Sequence, residues 1–80
     1  MQTIRINTIS RPWGCDFAIN GKEIAGIGSD FLNPSKYSAR FGVYASGNNI
    51  ATFADAVEFI GDAICSHFAQ FGLNVEFVNA

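Results

Sequence analysis

The chain has 80 residues, a formal net charge of −2, and 49% hydrophobic against 15% charged side chains. That suffices for a single domain over residues 1–80, burying roughly 60–65% of the unfolded chain's surface, and it excludes intrinsic disorder. No apolar run approaches the ~20 residues that span a bilayer, and no charged-then-apolar signal segment opens the sequence, so a cytoplasmic protein without membrane contact is expected.

Thr3 to Ile9 alternates, with Ile4 and Ile6 on one side and Arg5 and Asn7 on the other, which predicts a strand with one wet face. Arg11-Pro12-Trp13-Gly14 breaks it with a turn. Alternation resumes through Cys15, Phe17 and Ile19 and meets Asn20-Gly21, the strongest short hairpin signal, because both central residues of a type I′ turn need positive φ. A two-residue loop sets Phe17 opposite Ile24 and Cys15 opposite Gly26. Gly26-Ile27-Gly28 ends the second arm. A phosphate-binding turn is disfavoured there, since no third glycine and no helix start follow.

Ser29 to Lys36 reads as a loop carrying Phe31, Leu32 and Pro34. Tyr37 to Ala45 alternates again, with Tyr37, Ala39, Phe41 and Val43 on one face and Ser38, Arg40 and Tyr44 on the other. Ser46-Gly47-Asn48-Asn49 is expected to turn into a helix over Thr52 to Phe71. Phe53, Val57, Ile60, Ile64, Phe68 and Phe71 share one stripe of that helix at ~100° per residue. Thr52 suits the N-cap, Asp55 the positive helix end, and Gly72 the left-handed stop. Leu73, Val75 and Phe77 then alternate as a last strand.

The order β-ββ-β-α-β predicts an α+β fold: a mainly antiparallel sheet of four to five strands with one amphipathic helix on one face. The expected core joins the helix stripe to Ile4, Ile6, Phe17, Ile24, Phe41, Val43, Val75 and Phe77.

Catalytic signals are weak. His67, beside the stripe, reads as a packed imidazole, and Cys15 and Cys65 lack zinc spacing and read as two free thiols. Asp55, Glu58 and Asp62 lie on one exposed helical face without the unequal environments that separate acid from base. No enzyme activity, cofactor or metal is expected.

Charge is segregated along the chain. Before residue 50, five cations (Arg5, Arg11, Lys22, Lys36, Arg40) face Asp16, Glu23 and Asp30, a balance of +2; Asp55, Glu58, Asp62 and Glu76 follow with no cation, a balance of −4. Scattered cations in an acidic chain argue against direct nucleic-acid binding, whereas opposite poles suit a protein partner. The candidate binding residues are therefore Asp55, Glu58 and Asp62 with Phe59 on their flank, the turn residues Arg11 and Trp13, and the loop pair Phe31 and Leu32. The competing structural roles are a solvated helix face, a lid at the end of the sheet and a plug at its edge.

In length, acidity and sheet-plus-helix pattern the chain resembles the small α+β proteins that phages encode to block host systems, the anti-CRISPR proteins among them. The resemblance implies a non-enzymatic, stoichiometric inhibitor that occupies a surface, such as a basic one, of a nucleoprotein effector complex. The alternative is an antitoxin-like or regulatory subunit that dimerises through its sheet, followed by a small enzyme or nucleic-acid binder.

Overall fold

The computed structural model describes residues 2–79. Six strands and one helix follow one another: β1 (Gln2–Arg11), β2 (Gly14–Ile19), β3 (Lys22–Ser29), β4 (Tyr37–Phe41), β5 (Ala45–Ile50), α1 (Phe53–Ala69) and β6 (Leu73–Asn79). The fold is α+β, and the strands form one mixed sheet in the order β5-β4-β3-β2-β1-β6. β1 to β5 make an antiparallel meander; the helix then carries the chain back across one face, and β6 pairs parallel to β1.

The hairpin at Asn20-Gly21 forms as its sequence predicts, with φ of 52° and 81°. Its register starts with Ile19 opposite Lys22 and Ala18 opposite Glu23. A bulge between Phe17 and Ala18 then shifts the ladder, so Phe17 faces Ala25 and Cys15 faces Ile27. The extra residue reverses which side chains of β3 meet the core. Ala25 and Ile27 are buried there, and the expected Ile24 is only half-buried.

Two further expectations fail for related reasons. Alternation through Tyr37 to Ala45 does not continue as one strand. β4 stops at Phe41, a turn through Gly42 and Tyr44 follows, and Val43 is exposed rather than in the core. Ala45 to Ile50 then returns as β5, which makes the sheet six-stranded instead of four- to five-stranded. β5 is polar and glycine-containing, and it occupies a sheet edge, where only one side needs apolar partners.

Helix α1 starts as predicted, with the Thr52 hydroxyl accepting from the Asp55 amide at 3.0 Å. It stops with the Gly72 amide bonded to the Ala69 carbonyl and Gly72 at φ 72°. Its buried line is Ala56, Ile60 and Ile64. Relative to the expected stripe the helix is rolled toward its small residues, leaving Val57 39% and Phe71 66% exposed, with Phe53 close to Val57. The core joins Ile60 and Ile64 to Ile6, Phe17, Ile27, Ala39 and Phe41. The buried core has small residues on both layers, Ala39 in the sheet and Ala56 in the helix.

Candidate functional site

In an antiparallel meander alternate turns fall at the same end of the sheet. The β1–β2 turn, the β3–β4 loop and the β5–α1 junction therefore fall at one end, where Trp13 and Phe53 border one hollow and Phe31 and Leu32 another. Phe31 is 95% exposed, Leu32 88% and Trp13 58%. Trp13 is not a closed lid, and neither Phe31 nor Leu32 plugs the sheet edge.

These apolar tips stand on a braced base. Asp30 is the one buried charged side chain among the described residues. Its Oδ1 accepts from the Leu32 amide at 2.9 Å and the Asn33 amide at 3.3 Å, and its Oδ2 accepts from the Asn49 amide at 2.6 Å. One carboxylate thus winds the loop around itself and ties it to the end of β5. The Asn49 amide, then that of Leu32, hold its carboxyl below the usual aspartate range, with Asn33 adding less than burial takes away. The loop is closed by the Asp30 amide on the Lys36 carbonyl and the Lys36 amide on the Asn33 carbonyl, at 3.0 and 2.9 Å. Asn33 also donates to the Asn49 side chain at 3.4 Å and accepts from the Ser35 hydroxyl at 2.9 Å.

Arg11 is tied down beside this end. Its Nε lies 2.8 Å from the Asp16 Oδ2, on the sheet face that the helix leaves open. The ring of Trp13 passes over Gly28, where an added Cβ would meet it at 3.7 Å.

Asp55, Glu58 and Asp62 are exposed along the outer side of α1. Phe59 lies on their flank and also touches the sheet. One edge of its ring lies against Gly47 of β5, where an added Cβ would meet it at 3.1 Å. The acidic helical face thus keeps Phe59 on its flank, 38% exposed with one edge of its ring on β5, and the loop end carries apolar tips without a dense charge cluster.

His67 sits in an aromatic group, with ring centroids 4.2 Å from Tyr44, 5.2 Å from Phe41 and 5.5 Å from Phe71. Tyr44 accordingly turns to the helix side and does not share the outer sheet face with Arg40. Cys15 is buried and Cys65 exposed, both as free thiols. Burial, with the Asp16 charge second, raises the Cys15 thiol above its ordinary range. Among the described residues no three His, Cys, Asp or Glu side chains converge on a metal-sized site, and no helix is long and apolar enough to cross a membrane.

Asp30 is the residue that sequence reasoning misses. Its signal is an aspartate at the start of a Pro- and Asn-containing loop, the position from which a carboxylate caps the amides two and three residues on. No family model, curated protein or solved structure matches the chain.

Proposed function

We propose that the chain is a non-enzymatic protein-binding module, a stoichiometric inhibitor that seats its loop end against a larger host effector complex. The observation that carries this reading is the pair Phe31-Leu32, almost wholly exposed on a loop whose backbone is fixed by a buried carboxylate. Scattered exposed apolar residues need no explanation, but two adjacent ones presented by a braced loop, with Trp13 at the same end, form a patch suited to a pocket. Bracing lowers the ordering cost of association, so more of the apolar burial appears as affinity. The acidic helix face adds long-range attraction to a basic surface, such as that of a nucleoprotein assembly, without direct contact to nucleic acid.

The test is a matched pull-down from host lysate with wild type, Phe31→Ala/Leu32→Ala and Glu58→Lys/Asp62→Lys as baits, with partners identified by mass. A large nucleoprotein complex should be held by wild type and lost by the loop variant, which removes about 2 kcal/mol or more, roughly 30-fold in affinity. The helix variant should bind more slowly, and less so at high salt. Equal capture by a folded loop variant would move the site elsewhere, and a toxin-sized partner would favour the antitoxin-like reading.

A further inference from the structure

The side chains that β1 turns toward the helix change character along the strand. Ile6 is buried in the core, whereas Thr8 and Ser10 on the same face carry hydroxyls. Thr8 stands opposite Phe17 and Ser10 opposite Cys15, and opposed residues of an antiparallel pair share a face. A groove of about 300 Å³ lies there, between the first half of α1 and the helix-side face of β1, β2 and β6. Phe53, Val57 and Phe77, whose spacing places them in the core, are partly exposed, and all three border this groove.

Gly61 borders it too. It sits in the middle of α1, where glycine costs stability relative to alanine. A neighbour too close for a side chain would account for such a glycine, but an added Cβ would meet nothing within 4 Å. Its φ is not in the left-handed region either. Phe53, Val57 and Gly61 follow one another at steps of four, so they line one flank of the helix. A large residue in the third place would project into the groove. Glycine there keeps the groove open, a purpose that packing of the fold does not require.

The lining defines what the groove can hold. Its walls are apolar, with Phe17 and Phe77 held edge to face and ring centroids 5.8 Å apart. No charged side chain borders it, and burial, ahead of the Asp16 charge, keeps the Cys15 thiol neutral. A carboxylate or ammonium group would enter without a partner, which is costly. Thr8, Ser10 and Asn79 supply polar groups on the sheet side, where Asn79 is paired with Thr8. An apolar cavity of about 150 Å³ takes benzene, so twice that space suits roughly ten non-hydrogen atoms. We propose that the groove binds a small uncharged molecule, an aromatic or aliphatic body of about that size with one hydrogen-bonding group. Phe31 and Leu32 do not border it, so this site stands or falls separately from the loop end.

The experiment is a titration of the full chain with indole, an uncharged bicycle with one N–H donor, followed by two-dimensional NMR. Groove residues should shift saturably, with half-saturation below about 1 mM. Indole carboxylate should bind about tenfold more weakly or worse. Bound indole should slow thiol labelling of Cys15 about threefold or more and leave that of Cys65 unchanged. Gly61→Leu, which fills the groove from the helix side, should weaken indole binding about tenfold or more. Gly61→Ala should keep binding within about threefold and raise the melting temperature. If Gly61→Leu does not fold, nuclear Overhauser contacts from indole to Phe17, Val57 and Phe77 in wild type decide instead, and they should be present. No saturable shift up to about 5 mM, equal binding of the carboxylate, or binding untouched by Gly61→Leu would overturn the proposal. So would a Gly61→Ala variant that melts lower, which would show that the glycine serves the fold. Groove shifts that follow protein concentration without indole would also overturn it, and would assign the space to a second copy.

Discussion

Substituting Ile60 and Val57 separately distinguishes the rolled helix from the phenylalanine-stripe helix. Ile60 has no exposed surface. Truncation to alanine deletes the equivalent of three methylenes, about 2.4 kcal/mol at about 0.8 each, and the cavity left among Ile6, Ile64 and the sheet brings the loss to about 3–4 kcal/mol. Val57 is 39% exposed. Its truncation deletes two methylenes that are only partly buried, so the loss should be about 1 kcal/mol. A domain of this size has only about 4–12 kcal/mol of stability, so Ile60→Ala should be marginally folded and Val57→Ala comfortably so. Urea denaturation at one fixed protein concentration reads the difference. With a slope near 1 kcal/mol per molar, the midpoint should fall by about 3 M for Ile60→Ala and about 1 M for Val57→Ala, with the slope unchanged. A Val57→Ala loss equal to or greater than that of Ile60→Ala would refute the buried line described for α1.

Two other outcomes follow from the titratable groups. Asp30 has a folded-state pKa below its unfolded value of 3.8, so its stabilising contribution is complete above that value and disappears as pH falls through the folded one. The stability gap between wild type and Asp30→Asn should therefore narrow on acidification; a gap unchanged down to pH about 2 would show that the carboxylate's charge is not what braces the loop. Thiol labelling at neutral pH should modify Cys65 readily and Cys15 slowly, because Cys15 is buried with a raised pKa. Equal rates would mean that Cys15 in β2 is open to solvent.

Local chemistry made the helix ends and the hairpin legible. Thr52 acts through its own hydroxyl, Gly72 and Asn20-Gly21 through their own backbone, and nothing tertiary competes with them. The sheet was legible only where alternation coincided with burial. Val43 continues an apolar pattern past the point where the Gly42 turn ends it, and the polar run Ser46 to Asn49 conceals a strand whose apolar contacts with the core come from Ala45 and Ile50 at its two ends. The bulge at Phe17/Ala18 leaves no mark in the sequence, yet it decides whether Ile24 or Ala25 faces inward. The candidate site was legible as separate residues and not as an arrangement. Trp13 and Phe31 share an end of the molecule only through the parity of the turns between them, and the contact of Phe59 with Gly47 depends on the edge strand that the polar run conceals.

The pairing of β1 with β6 joins residues 71 positions apart, as in Ile4 with Val75, whereas every other strand pair is between sequence neighbours. Contacts at such separation carry a larger chain-closure cost and form after local hairpins. While the chain is being synthesised, the meander is complete once Ile50 has emerged, but β1 then stands at its margin with Ile4 and Ile6 uncovered. It becomes an interior strand only when the helix has docked and Leu73 to Asn79 has been made. Of the six strands the earliest made is thus the last to be fully paired, and through that interval it is the segment of this sheet most open to a chaperone or to a wrong partner.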